Sequence, residues 1–309
     1  MALRGKPLLA TNNTNLGTDV FQVGDISWKQ FNVKTSPKPV LVFAPTAEGT
    51  YPVILFCHGY AISNRYYSKL LGHIASHGFI VVAPQLFTLN LPMLGVCEVK
   101  FAEKVASWIA KGLQPKINEN IQQNVKAKLD TLVLAGHSKG GKTVFALAID
   151  QAKTNLKFSA LIGIDPVAGP GKGILTGQAQ SFNINMPVLV IGTGLGPEPS
   201  NCSPVSCAPE GRNHVEFFNE SKPPCAHFVT KDYGHMDMLD EDTQGLRSRL
   251  LKCMCKNGIG PKDLMIRTLG GLVVAFLKDF LYNQKKDFQA ILNDPNLAPA
   301  KLEDPVFYP

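Results

Sequence analysis

Residues 131–143, Thr-Leu-Val-Leu-Ala-Gly-His-Ser-Lys-Gly-Gly-Lys-Thr, run from an apolar strand through a glycine-framed turn into a helix. Few short segments constrain a fold as much, because this one carries two overlapping motifs. Gly136-His137-Ser138-Lys139-Gly140 reads as G-x-S-x-G, a sharp strand-to-helix turn that exposes a serine for nucleophilic attack. Gly136 through Thr143 also reads as G-x-x-x-x-G-K-T, a loop whose backbone amides cradle phosphates. Both motifs require a buried strand (Leu132, Val133, Leu134) leading into a helix (Val144, Phe145, Leu147, Ala148). The choice therefore rests on the rest of the chain.

Along the chain, continuous apolar runs alternate with helical spacing. Strands are expected at Trp28–Val33, Val40–Pro45, Val53–Phe56, Phe79–Pro84, Leu132–Gly136, Phe158–Ile164, Val188–Ile191 and, as the last one, Ala226–Val229. Helices are expected at Tyr67–Ser76, closed by His77-Gly78, at Phe101–Leu113, Ile117–Leu129 and Lys139–Ala152, and within Leu264–Leu281. Strands apolar along their whole length, separated by helices, predict a mostly parallel sheet covered on both faces. With 309 residues, 45% of them hydrophobic, and no repeat or Ser/Gly linker, one domain is expected across 1–309. Residues 1–25 read as a loosely packed leading segment and 283–309 as a C-terminal extension.

The phosphate-loop reading gains from Leu161-Ile162-Gly163-Ile164-Asp165, a strand ending in an acid that suits magnesium. It places the loop after about three strands, however, and leaves His58-Gly59 and Gly234-His235 without a role. The hydrolase reading uses them all. A serine needs a base to take its proton, and the base needs an acid to fix its tautomer. In the α/β-hydrolase fold these follow in the order Ser, Asp/Glu, His. Ser138 is followed 27 residues later (165 − 138) by Asp165, at the end of the next strand, and His235 comes 70 residues after that (235 − 165). Oxyanion stabilisation calls for the N–H after the nucleophile, Lys139, and one from the loop after an earlier strand. His58-Gly59-Tyr60 stands there, so the Tyr60 N–H is the expected second donor. Glu198 is the rival acid, and His214 and His227 are rival bases. His58 and His137 are read as shaping backbone around the site, and His73 as packing.

The net charge is +7, from 31 Lys+Arg against 24 Asp+Glu, with a pI near 9.0 and a mean hydropathy of +0.02. The basic residues are scattered and not interleaved with aromatics, so no nucleic-acid partner is expected; weak attraction to an anionic membrane surface fits the charge. Leu264–Leu281 is interrupted by Arg267, Lys278 and Asp279 and reads as a core helix rather than a membrane span. The seven cysteines form no C-x-x-C pair, so no metal site is expected. Cys202 could bridge Cys207, and Cys225 could bridge Cys253 or Cys255. Asn12, Asn201 and Asn219 begin N-x-[ST] triplets, which matter only in a secreted chain. No apolar stretch typical of a secretory signal stands at the start.

Many blocks of the chain together resemble the plant chlorophyllases. They include Phe56-Cys57-His58-Gly59, His73-Ile74-Ala75-Ser76-His77-Gly78, Val82-Ala83-Pro84-Gln85, Gly136 through Thr143, and Ser159 through Gly169. Gly192-Thr193-Gly194-Leu195-Gly196-Pro197, Asp232 through Leu239 and Met254-Cys255-Lys256-Asn257-Gly258 continue the likeness, which covers about residues 50 to 282. The resemblance implies an α/β-hydrolase that cleaves the phytyl ester of chlorophyll, or of a related pheophytin-type pigment, with Ser138, Asp165 and His235 as its triad. It implies no cofactor or metal, the magnesium of chlorophyll belonging to the substrate. Lys139 stands where the family often has arginine. The implied compartment is the chloroplast or cytoplasm of a plant cell, although no plastid transit peptide is evident. Leu86–Val96 is an apolar stretch directly after a strand. Within it, Phe87, Leu89, Leu91 and Met93 are expected to grip the phytyl chain or touch a membrane. An esterase for another lipophilic ester and a pigment-binding protein with a dead site share most of these features.

Overall fold

The computed structural model describes residues 18–86, 96–150, 156–170, 173–240 and 253–309. Among the described residues nine strands form one sheet: β1 (Trp28–Val33), β2 (Val40–Pro45), β3 (Gly49–Cys57), β4 (Ile80–Pro84), β5 (Val125–His137), β6 (Ala160–Ile164), β7 (Val188–Thr193), β8 (Cys225–Thr230) and β9 (Val306–Tyr308). They lie in the order β1-β2-β4-β3-β5-β6-β7-β8-β9. The six strands from β4 to β8 run parallel; β1, β2 and β9 pair antiparallel. The helices are α1 (Ser68–Ser76), α2 (Val96–Asn120), α3 (Lys139–Ile149), α4 (His214–Asn219), α5 (Lys262–Tyr282) and α6 (Lys286–Asn293). This is the expected α/β-hydrolase architecture.

Alternate residues of the central strands feed two cores. Ile54, Phe56, Val133, Ile162 and Ile191 pack on one face with α1 and α5. Val53, Leu55, Leu134, Leu161 and Val190 pack on the other with α2 and α3. Because both faces are covered, neither shows a polar alternation. From β3 the chain moves outward to β4 on one side, and from β5 it moves to β6 in the opposite direction. The sheet thus has its topological switch point between β3 and β5, where ligand crevices form at the carboxyl ends of strands.

Three sequence expectations are corrected. Residues 117–129 do not form a second helix: α2 continues through Pro115 to Asn120, and Val125–Leu129 open β5. The outer half of β5 is charged because only its inner half enters the core. Gln114 satisfies its edge, accepting from Ala127 N–H (2.8 Å) and donating to the Val125 carbonyl (2.9 Å). Strand β8 is not the last, since β9 from the C-terminal extension adds to the sheet with Cys225 opposite Tyr308. Of the segment 1–25, residues 1–17 lie outside the described residues, and 18–25 are tied down rather than loose: Val20 and Phe21 are buried, and their carbonyls accept from His73 (2.8 Å) and Arg267 (2.9 Å). Among the described residues no helix is long and apolar enough to cross a membrane.

Candidate active site

Strand β5 ends at His137 and α3 begins at Lys139, so the whole turn is Ser138. Its backbone (φ 55°, ψ −122°) lies where L-residues rarely sit. The turn is held by neighbours: Ser138 N–H donates to the Ile164 carbonyl (3.0 Å), and its own carbonyl accepts from Val167 N–H (3.2 Å). Glycine is required on both sides. A Cβ at Gly140 would overlap the Cys57 carbonyl, and one at Gly136 would overlap the Gly140 carbonyl. This geometry excludes the phosphate-loop reading of Gly136–Thr143, because a single residue between strand and helix leaves no loop to wrap a phosphate.

Asp165 follows β6, also with positive φ (40°), and its N–H donates to the Ile191 carbonyl (2.6 Å). Its buried carboxylate accepts from Thr193 Oγ1 (2.6 Å) and from His235 Nδ1 (2.7 Å). Burial alone would raise this carboxyl's pKa. The hydrogen bond and charge of His235, then His214 and Thr193, outweigh that and hold it below its ordinary value. An ionised carboxylate only accepts, so His235 carries its proton on Nδ1 and leaves Nε2 as an acceptor. Ser138 Oγ–H donates to that Nε2 (2.8 Å). Ser138, His235 and Asp165 therefore form one continuous line of hydrogen bonds, reaching from a partly accessible hydroxyl to a fully buried acid.

The loop after β8 presents His235. Asp237 fixes this loop by accepting from Gly234 N–H (2.8 Å) and Gly258 N–H (2.6 Å), with Lys262 Nζ 3.6 Å away. The loop after β3 lies against Ser138: a Cβ at Gly59 would stand 3.3 Å from Ser138 Cβ. Next to it, the Lys139 ammonium sits 5.0 Å from the centre of the Tyr60 ring and pairs with the buried carboxylate of Glu98 on α2. Of the five described non-glycine residues with positive φ, Ala61, Ser138 and Asp165 gather here, as strain at a functional site does.

The remaining expectations sort as follows. Glu198 is exposed, with Lys256 as its ion partner at 3.9 Å, and is not the acid against His235. His214 and His227 bond each other (Nδ1 to Nε2, 2.8 Å) and make no bond to Ser138. His58 receives Leu86 N–H at Nε2 (3.0 Å) and donates from Nδ1 to the Gly59 carbonyl (2.8 Å); burial lowers its pKa to about 4. The disulfides are Cys202–Cys253 and Cys207–Cys255, not Cys202–Cys207, and Cys225 is buried and free. The reason is spatial. Residues 200–207 run beside 253–255, with Ser200 Oγ donating to the Met254 carbonyl (3.2 Å), whereas Cys225 points into the core from β8. Phe87, Leu89, Leu91 and Met93 lie outside the described residues. Sequence reasoning gave no role to Thr193, Asp237, Glu98 or Tyr67. The only sequence signal for Asp237 and Thr193 was their place beside His235 and at the end of β7.

The chlorophyllase family model matches residues 16–308. A chlorophyllase-1 of Arabidopsis thaliana is 49% identical over 86% of this chain and 83% of its own length. A chloroplastic chlorophyllase-1 of Citrus sinensis is 45% identical over 98% of this chain and 91% of its own. A chlorophyllase type 0 of Chenopodium album is 40% identical over 96% and 88%. With Ser138, Asp165 and His235 joined by hydrogen bonds at the carboxyl ends of such a sheet, the chain belongs to the chlorophyllase family.

Proposed function

We propose that this chain hydrolyses the phytyl ester of chlorophyll to chlorophyllide and phytol, through an acyl-enzyme on Ser138. The observation that carries the reading is the unbroken Asp165–His235–Ser138 hydrogen-bond line in a chain of this family. His235 Nε2 takes the Ser138 proton as Oγ attacks the ester carbonyl carbon. Asp165, ionised and buried, stabilises the resulting imidazolium. The negative oxygen of the tetrahedral intermediate is assigned to the N–H groups of Tyr60 and Lys139. On collapse, His235 returns the proton to the departing phytol oxygen. Water then attacks the acyl carbon, His235 takes its proton, and Ser138 leaves with that proton restored. A short ester uses the same steps, so the triad alone does not choose the alcohol.

Selection of the long alcohol is assigned to Phe87, Leu89, Leu91 and Met93. Leu86, which precedes them in the chain, is buried and bonded to His58 beside Gly59. Each buried CH₂ contributes about 0.8 kcal/mol. Exchanging Leu89, Leu91 and Met93 for serine therefore raises KM for a phytyl ester far more than for a short soluble ester; equal losses on both would remove the assignment. The chloroplast, which the names of two Citrus relatives carry, is the proposed compartment. The function itself is tested by incubating pure protein with chlorophyll and measuring chlorophyllide. Wild type forms it and Ser138→Ala, folded, loses on the order of 10⁴–10⁶ of the rate. Cleavage of short esters without any chlorophyllide would make the chain an esterase for a different lipophilic ester.

A further inference from the structure

Three buried groups outside the triad are joined by short hydrogen bonds. Gly59 N–H donates to Tyr67 Oη (3.0 Å), and Tyr67 Oη lies 2.7 Å from His137 Nδ1. His137 Nε2 lies 3.0 Å from the His235 carbonyl. Tyr67 and His137 are fully buried. The carbonyl of His235 can only accept, so His137 must donate from Nε2 and accept at Nδ1. Tyr67 then gives its single proton to Nδ1, while its oxygen takes the Gly59 amide. Every donor has one acceptor, and the direction of the whole line is fixed.

We infer that Tyr67 and His137 are positioning residues, which lock the backbone of the base His235 to the loop carrying Tyr60 through the residue that precedes the nucleophile. The inference rests on the triad reading given above and adds two residues to it. What it explains is how three loops after three different strands keep one registry. Gly59-Tyr60 follow β3, His137-Ser138 end β5, and His235 follows β8. A shift of any one relative to the others would have to break a buried hydrogen bond and leave its donor or acceptor unpaired.

The line works in one protonation state. The groups facing His137 are the Tyr67 hydroxyl, the rings of His235 and His58, and the Asp165 carboxylate. Burial first, and then the neighbouring His235, push its pKa well below the ordinary histidine value. A neutral ring 4.7 Å from the His235 ring also adds no repulsion when His235 becomes cationic during the reaction.

The test is a set of substitutions assayed on a short soluble ester, with Ser138→Ala as the control. Tyr67→Phe keeps the ring contact with Phe56 (4.9 Å between centres) and removes only the hydroxyl. Its kcat should fall roughly 10- to 100-fold, the size of effect expected when a buried donor and acceptor lose their partner, with KM little changed. His137→Gln offers an amide acceptor and donor in one plane and should retain clearly more kcat than His137→Leu, which fills the space without either. Wild-type kcat in folded Tyr67→Phe, or equal kcat in the Gln and Leu variants, would overturn the inference. An active Ser138→Ala would instead overturn the triad reading beneath it.

Discussion

Two pairs of neighbouring histidines sit around one carboxylate, and only one pair reaches Ser138. His137 and His235 lie with ring centres 4.7 Å apart, His214 and His227 at 5.0 Å, and the charge of Asp165 acts on both pairs. In the second pair the rings bond each other, so His214 spends Nδ1 on another imidazole. In the first, the rings are bonded elsewhere: His137 to Tyr67 and a carbonyl, His235 to Asp165 and Ser138. A buried imidazole becomes a base when an acid fixes one nitrogen and a nucleophile meets the other. Nearness to the acid is not sufficient.

The largest effect that can break this comparison is Asp165→Asn, which should cost roughly 10⁴ in kcat as the base loses its orienting carboxylate. His214→Gln should leave kcat close to wild type. Comparable losses from the two, measured on one short ester, would mean that the pairs are not distinct in role. The next effect is the pH profile. The base must be neutral, so kcat/KM should fall on the acid side with a slope of about one. Asp165, held below its ordinary range, should add no second proton there. A slope near two before the protein unfolds would mean that Asp165 titrates with the base.

Stability sharpens the contrast further. Burial lowers His227 to about 3, and His58 and His73 to about 4, from an ordinary 6.5. The unfolded chain therefore binds these protons first. Their neutral forms contribute stability that is full above 6.5 and is lost as pH falls toward 4 and 3. Thermal midpoints should drop across that window, and His227→Gln should flatten the drop; an unchanged slope in this variant would contradict the burial argument. The smallest effect is Glu198→Gln. That carboxylate is exposed and its ion partner lies at 3.9 Å, so both activity and stability should stay near wild type.

The grouping of Ser138, Asp165 and His235 was legible in the sequence because its parts are local: a glycine-framed serine, an acid ending an apolar strand, a histidine in a Gly-His turn. The central strands were legible because they are buried on both faces and carry no polar positions. The outer half of β5 was not. Val125, Lys126, Ala127 and Lys128 pair with residues 49–52 beyond the core, where charge reads as helix or loop. Strand β9 is three residues long and gains its pairing only from β8, and the disulfides join segments 48 and 51 residues apart. Tyr67 could not be read at all. Its role depends on bonds to Gly59, eight residues away, and His137, seventy residues away, which only the folded sheet brings together.

The central claim is an acyl-enzyme on Ser138, and partitioning tests it most directly. A phytyl ester and a short alkyl ester of the same pigment acid should yield one common intermediate once the alcohol has left. With methanol present at a fixed concentration, the ratio of methyl ester to free acid should therefore be the same from both substrates. Ratios that depend on the leaving alcohol would contradict the account, because water and methanol would then be attacking the substrate itself.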